Sequence, residues 1–169
     1  MQKYVFKEYN PEYKAFFILE KKKIEKALGS TAKIEHVGST AIPNLGGKDI
    51  LDIVVGVSKS NIGIAKNKLE KAGYEFREKA SVPERLFFRK DYSYKNRKRR
   101  IHIHLTKLSS QDWSDMISFR DYLLKHSKFI KQYVAIKKEG VKKALGDGAK
   151  YRKHKEKFIE TILKKASKP

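Results

Sequence analysis

The chain has no cysteine, so neither disulfide bonds nor thiolate metal ligands are available to it. This absence fits the reducing conditions of the cytoplasm, where we expect the protein to be located. Long apolar runs are also missing, because no uninterrupted stretch approaches the roughly 20 residues that span a bilayer. The N-terminal stretch MQKYVFKEYNPEYK lacks the apolar segment of a secretory signal peptide. We therefore expect a soluble protein without a membrane partner.

Acidic residues are scarce relative to basic ones, with 19 Asp and Glu against 40 Lys and Arg. The formal net charge at pH 7 is +21. Such a charge attracts polyanions over a long range, and the attraction weakens as salt is added. Nucleic acid, nucleotides and anionic lipid are thus the candidate partners. A lysine-rich proteome, whose proteins carry solvated lysines on helix faces, is the alternative explanation.

The 169 residues are enough for one domain with a core, and a hydrophobic fraction of 40% argues against disorder. Strand-like stretches separated by helices come first, and after Ser109 the apolar spacing is helical. This order predicts an α+β fold for a single domain over residues 1–169. We expect a small mixed β-sheet with helices packed on one side and a helical C-terminal part.

Helices are predicted over about 11–28, 61–72, 110–124, 127–145 and 150–165, with the fourth interrupted at Gly140. Apolar side chains expected to face inward include Phe16, Leu19 and Ile64. Strands are predicted near 32–39, 49–57 and 74–79. RLFFRKDYSY and RRIHIHLTKL read as a hairpin joined through KNRK.

A Gly38-Ser39 turn follows the first predicted strand. The backbone amides of such a turn form a concave anion-binding site, to which a Ser hydroxyl adds another donor. Gly38 would also allow a phosphate to approach the backbone closely. An ordinary turn without a ligand is the alternative.

Asp52 lies inside the apolar run ILDIVVGV. In a strand it shares one face with Ile50 and Val54. An ionised carboxylate in such a place is costly unless it meets a cation or several hydrogen-bond donors. Lys48, four residues earlier on the same face, or a bound metal would be its partner. A purely structural Asp–Lys pair is the alternative.

His102 and His104 alternate with Ile101, Ile103 and Leu105. The apolar residues should face the core, so both imidazoles should project from the opposite face. Two histidines at this spacing can share a divalent metal or reach one phosphate. His36, close to Gly38, is a third candidate ligand. A solvent-facing pair without a role is the alternative.

The stretch KNRKRR is densely basic and precedes the histidine strand. Arg97, Arg99 and Arg100 are candidates for binding a nucleic-acid backbone. Charged residues can equally protect an exposed strand edge from aggregation.

Tyr151 and Lys155 are one helical turn apart and border an apolar stripe that includes Phe158. A lysine beside tyrosine on a partly buried face is a candidate phosphate ligand. The alternative is that Lys155 extends its charged end to water along an apolar surface.

Together these features resemble the GrpB family, a group of bacterial and archaeal proteins placed within the nucleotidyltransferase superfamily. The resemblance covers nearly the whole chain. It is carried by EHVGSTAIPNL, KDILDI and IHIHL, then by Trp113 with FRDYL, and finally by Tyr151, Lys155, Phe158 and Ile159.

The resemblance implies a nucleotidyltransferase-like core that binds a nucleotide or coenzyme-like molecule. The implied phosphate ligands are Gly38, Ser39, Thr40, Lys48, Tyr151 and Lys155. The implied ligands of a divalent metal (Mg²⁺, Mn²⁺ or Zn²⁺) are Asp52, His36, His102 and His104. Asp52, His102 and His104 would also be the catalytic groups. Some relatives are fused to dephospho-coenzyme A kinase, which points to nucleotide or coenzyme metabolism.

This chain departs from the superfamily pattern of two acids in D-x-[DE]. Val54 stands at the second acid position, and Asp49 at the strand's start is no clean replacement. Two functional hypotheses follow. One is a metal-dependent nucleotidyl or phosphoryl transferase with an unknown acceptor. The other is a catalytically inactive protein that binds RNA, a nucleotide or another protein.

Overall fold

The computed structural model describes residues 5–168. Residues 1–4, which begin the stretch examined for a signal peptide, and residue 169 lie outside this range. The helices are α1 (Glu12–Leu28), α2 (Ile62–Lys71), α3 (Gln111–Lys125), α4 (Lys128–Ala144) and α5 (Gly148–Ala166). The strands are β1 (Lys33–Val37), β2 (Ile50–Val57), β3 (Glu75–Phe76), β4 (Arg85–Tyr94) and β5 (Arg97–Lys107). The predicted α+β fold class is confirmed.

The strands form one mixed sheet in the order β1-β2-β5-β4-β3. Strands β2 and β5 pair in parallel at its centre, and the outer pairs are antiparallel. The parallel register places Asp52 opposite His102 and Val54 opposite His104. These residues therefore lie together on one face of the sheet.

A first core fills the space between the opposite face of the sheet and helices α1 and α2. The sheet supplies alternate residues of β2 and β5, including Leu51, Ile53, Ile101 and Ile103. Helix α1 supplies Tyr13, Phe16 and Ile24, and α2 supplies Ala65 and Leu69. Leu19 and Ile64, which were expected to face inward, are instead 46% and 55% exposed.

Helix α3 packs on the other face of the sheet, and its N-cap Ser110 accepts a hydrogen bond from Trp113 N at 3.2 Å. A Cβ atom at Gly56 would lie 2.7 Å from the Trp113 ring, so glycine lets the helix approach β2 closely. Arg120 of α3 donates to Glu35 Oε2 at 2.7 Å. The prediction of helices on one side of the sheet is thus wrong, because helical spacing does not specify which sheet face a helix covers.

A second core joins α3, α4 and α5 to the segment between β1 and β2. Its buried members are Ile42, Leu45, Leu123, Tyr133, Phe158 and Ile162. Helix α4 runs unbroken through Gly140, contrary to the prediction. A Cβ atom there would lie 2.9 Å from His154 of α5, so this glycine permits close contact between two helices. Propensity alone suggested a break.

The hairpin turn is shorter than predicted. It consists of Lys95 and Asn96, both with positive φ, so β5 already begins at Arg97. Positive φ at both central residues is typical of a two-residue turn whose twist suits a hairpin.

Candidate functional site: a basic cleft beside Asp52

Asp52 contacts both histidines of β5 on the face that points away from the first core. Its Oδ1 atom is 3.4 Å from His102 Nδ1 and 3.8 Å from His104 Nε2. Burial acts to raise the pKa of Asp52, but the contacts with the two imidazoles outweigh it and hold this pKa far below its usual range. Asp52 is therefore ionised at neutral pH.

The two imidazoles lie where alternation along β5 predicted them, on the face opposite the first core. The Phe87 ring of β4 packs beside both, with centroid distances of 4.8 Å to His102 and 5.3 Å to His104. Within residues 5–168, His104 Nδ1 is buried without a hydrogen-bond partner. The two imidazole rings thus contact both the Phe87 ring and the Asp52 carboxylate.

The Gly38-Ser39 turn is in direct contact with Asp52. Gly38 has a φ of 71°, and a Cβ atom there would lie 2.6 Å from Asp52 Oδ2. Both the left-handed backbone and the lack of space require glycine. Residues Ser39–Ala41 then form one turn of 3₁₀ helix. The structure therefore joins the turn and the aspartate into one site.

His36 lies on the opposite face of the sheet from Asp52. It is paired with Ile53 of the first core, and its ring stacks on Phe17 at 4.8 Å. Its Nε2 atom is 2.9 Å from the Thr40 hydroxyl, which donates to Ile50 O at 3.3 Å. Burial lowers the pKa of His36 to about 4, so the ring is neutral at pH 7. His36 and Thr40 thus form a structural contact beneath the turn.

The four predicted metal ligands do not form a common centre. Strand register turns His36 away, and Asp52 contacts the other two directly. In the part of the chain that the structure describes, no three or more His, Asp or Glu side chains are arranged to hold a metal ion. The expected donor set is therefore not preformed.

Lys48 and Lys155 meet at the ring of Tyr151. Their Nζ atoms lie 5.3 Å and 4.2 Å from its centroid, and the tyrosine is 1% exposed. Burial and repulsion from Lys48 lower the pKa of Lys155 to about 8, although Asp52 opposes this shift. Burial likewise lowers the pKa of Lys48, with contributions from Arg152 and Arg100. Three residues predicted as phosphate ligands are thus brought together in a crowded positive environment.

Lys137 of α4 belongs to the same site and was missed by the sequence analysis. Its ammonium contacts Ser39 Oγ and the carbonyl oxygen of Gly46, and the residue is 2% exposed. Burial, with repulsion from Lys155, lowers its pKa to about 7. A signal was available, because Tyr133, Lys137, Gly140 and Ala144 share the buried stripe of α4. The many other lysines of this helix hide the signal, because lysines on a helix face are usually solvated.

Arg99 does not belong to an exposed basic surface, contrary to the prediction. It is 4% exposed and pairs with Asp49 at 3.2 Å and Glu12 at 3.3 Å. Asp49, with a φ of 63°, turns away from Asp52 to reach this arginine. Arg100 lies on the surface and pairs with Asp91 at 2.7 Å, while Arg97 is exposed. The three arginines therefore have three different environments.

A family model described as "GrpB protein" matches residues 3–165. The chain belongs to the GrpB family. The Glutamate-rich protein GrpB of Alkalihalophilus pseudofirmus is 30% identical over 158 residues, which cover 92% of this chain and 91% of that protein. The UPF0157 protein YqkA of Bacillus subtilis is 26% identical over 162 residues. That match covers 95% of this chain but 46% of YqkA.

The crystal structure of GrpB from Enterococcus faecalis has the same fold. Its TM-score to this chain is 0.81 at 27% sequence identity, and the match covers 96% of each chain. The names of these GrpB relatives state neither a substrate nor a reaction. Over residues 5–168, no helix of this GrpB protein is long and apolar enough to cross a membrane.

Proposed function

We propose that this GrpB-family protein binds a phosphate-bearing small molecule, such as a nucleotide or a coenzyme, in the cleft beside Asp52. The observation that carries this proposal is the convergence of Lys48 and Lys155 on the Tyr151 ring. The Gly38-Ser39 turn belongs to the same cleft, because Asp52 contacts Gly38 and interacts electrostatically with both lysines.

Positive charge in the cleft exceeds negative charge. Within the described chain, Lys155 forms no ion pair with a carboxylate, and the exposed Arg152 adds further positive potential. Asp52 carries a single negative charge, whereas a di- or triphosphate carries several. Bringing such an anion between the lysines would relieve their repulsion, and it would favour the ammonium form of Lys155.

The chemistry of the cleft favours phosphoryl or nucleotidyl transfer. Ionised Asp52 beside His102 provides a carboxylate–imidazole pair that can accept a proton from an attacking hydroxyl group. Lys48 and Lys155 would stabilise the negative charge on the transferred group. Val54, where a second acid would be expected, is fully buried. The resemblance to the GrpB family implies a metal-dependent reaction, but the second acid that would help to hold the metal is missing. Ligand binding and its dependence on metal are therefore tested separately.

Binding is tested by isothermal titration calorimetry with pyrophosphate, ATP and coenzyme A at low salt. We expect Lys155→Met to weaken the affinity for at least one of these ligands by about 10-fold or more, since a hydrogen bond to a charged group contributes about 1.5–3 kcal/mol. Lys157→Met is the matched control, because Lys157 is exposed on the same helix. Equal affinities in the two variants, or no binding in the wild type, would refute the proposal.

The reaction is tested by repeating the titrations with Mg²⁺, Mn²⁺ or Zn²⁺ and following loss of the nucleotide. A metal-dependent gain in affinity that vanishes in Asp52→Asn would support metal-dependent transfer. An equal gain in both proteins would contradict a metal-binding role for Asp52. Binding without any turnover would identify the inactive binding protein as the correct hypothesis.

A further inference from the structure

Ser39 and Lys137 form a pair that connects the glycine-serine turn to helix α4. The Nζ atom of Lys137 contacts both Ser39 Oγ and the carbonyl oxygen of Gly46. Lys137 is buried at 2% exposure, whereas Ser39 is partly exposed. Ser39 is thus the more exposed member of the pair, and the amine of Lys137 is buried.

The backbone around the pair is shaped to leave room for it. A Cβ atom at Gly47 would lie 2.7 Å from Lys137 Nζ and 2.8 Å from Ser39 Oγ. Gly47 is itself held by two backbone hydrogen bonds with Lys7, of 2.7 Å and 2.8 Å. The Ser39 hydroxyl thus contacts the Lys137 amine, and the carbonyl oxygen of Gly46 orients that amine. A hydroxyl, a base and a group that orients the base are the arrangement of an activated nucleophile.

Lys137 can act as a base near neutral pH, because its pKa is lowered toward that range. Burial is the main cause of its lowered pKa of about 7, with Lys155 and Lys48 acting in the same direction and Asp52 opposing them. The Tyr133 ring also lies beside it, 5.3 Å from Nζ, and burial raises the pKa of its phenol. A substantial fraction of Lys137 is therefore neutral at pH 7 to 8. A neutral amine can accept the Ser39 proton while it donates to Gly46 O.

We propose that Ser39 is a nucleophile with Lys137 as its general base, acting on the phosphorus of a phosphate ester or anhydride. This choice of electrophile rests on the proposed function. In the step, Ser39 Oγ bonds to phosphorus, and the bond from phosphorus to the leaving oxygen breaks. The leaving group departs with the electron pair, and the Ser39 proton moves to Lys137 Nζ. The products are a Ser39 phosphoester, a Lys137 ammonium and the released anion.

A fluorophosphonate probe tests the nucleophile without requiring a phosphate ligand. Ser39 Oγ would bond to phosphorus, fluoride would leave with the electron pair of the P–F bond, and Lys137 would take the proton. Mass spectrometry of the intact protein and of its peptides measures the adduct between pH 5.5 and 9.5. We expect a single adduct on Ser39, formed at a rate that rises with pH and levels off above about pH 8.

Variants distinguish the nucleophile, Ser39, from its general base, Lys137. Ser39→Ala should abolish the adduct, whereas Ser30→Ala, at an exposed serine, should leave it unchanged. Lys137→Arg retains a positive charge that cannot be lost, so the labelling rate should fall by at least about 100-fold. Gly47→Ala, which crowds the pair without removing either member, should also slow labelling. Circular dichroism checks that each variant is folded.

Three outcomes would overturn the proposal: no Ser39 adduct in the wild type, an unchanged rate in folded Lys137→Arg, or a wild-type rate proportional to hydroxide concentration over the whole range. The last result is informative even if the lysine variant does not fold. Labelling without ligand binding would count against the proposed function alone. Ligand binding without labelling would count against the serine nucleophile alone.

Discussion

Asp52 and His102 occupy opposed positions of the parallel ladder between β2 and β5, and their side chains meet with 3.4 Å between Oδ1 and Nδ1. The pairing of two central strands thus creates a carboxylate–imidazole contact beside the charges of Lys48, Lys137 and Lys155. The ionised state of Asp52 has a measurable consequence for stability.

Replacing Asp52 by Asn removes its charge with little change of shape. A carboxylate whose folded pKa is lowered stabilises the folded state above its unfolded pKa, about 3.9, and this contribution is lost as the pH falls further. We expect Asp52→Asn to lower the free energy of unfolding at pH 7 by about 1–3 kcal/mol. The difference should shrink below about pH 4. Urea unfolding over a pH series measures it, with Glu160→Gln as an exposed control. A difference that is constant down to pH 2.5 would contradict the lowered pKa.

Gly38→Ala should be more destabilising than Gly29→Ala. Both glycines combine a positive φ, 71° and 82°, with a ψ near 180°, a region essentially restricted to glycine, so both variants incur a backbone cost of about 1–3 kcal/mol. Only Gly38 lies against Asp52, whereas a Cβ atom at Gly29 has no heavy atom within 4 Å. Crowding should therefore add about 1–3 kcal/mol at position 38. Chemical denaturation of the two variants measures this excess, and equal losses would show that the Asp52 contact is unimportant.

Arg99→Met should be more destabilising than Arg100→Met. Arg99 is buried and donates to Asp49, which is partly exposed and keeps its ion pair with Lys7, so removing the guanidinium should cost about 1.5–3 kcal/mol. Arg100 pairs with Asp91 at the surface, where such pairs contribute about 0–1 kcal/mol. Guanidinium and thermal unfolding test this ranking. Similar losses in both variants would mean that the Arg99 pair is not a buried support of the fold.

His36 should make folding sensitive to mild acid. Its folded pKa of about 4 lies below the usual value of about 6.5, so the unfolded chain binds more protons between these limits. Stability should therefore fall as the pH decreases from 6.5 to 4. His36→Gln should flatten this part of the profile, and His126→Gln, at an exposed histidine, should not. An NMR titration of the His36 ring offers a direct check, and a midpoint near 6.5 would refute the prediction.

RNA is the alternative partner that the net charge suggests. Binding of RNA can be tested at the hairpin tip, which is the turn between β4 and β5 with the first residues of β5. Lys95 and Arg100 pair with Glu12 and Asp91, which leaves Arg97 and Lys98 as the exposed cations expected to reach phosphates. Neutralising both to Gln should reduce the slope of log affinity against log salt by about 1.4, or 0.7 for each contact with single-stranded RNA. Fluorescence anisotropy at several salt concentrations gives the slopes. The control is Lys22→Gln with Lys26→Gln on α1, and equal slopes in both double variants would exclude the tip as an RNA contact.

Features that depend on neighbouring residues were predictable from the sequence. Alternation along IHIHL placed both histidines on the face opposite the first core, and helical spacing located α1 and α5 within a few residues. The order of elements indicated the α+β class, and conspicuous blocks such as EHVGSTAIPNL indicated the GrpB family. Each of these signals is contained in a short segment.

Long-range contacts decided the rest. The register between β1 and β2 turned His36 to the opposite face, and the docking of α4 buried Lys137 against Ser39. The position of Asp49 beside Arg99 depended in the same way on bringing distant segments together. Periodicity shows which residues share a face, but it does not show what that face will contact. The sequence by itself therefore determined the elements and the family, whereas the tertiary structure decided which charges meet, because burial and pairing energies arise only when those elements pack.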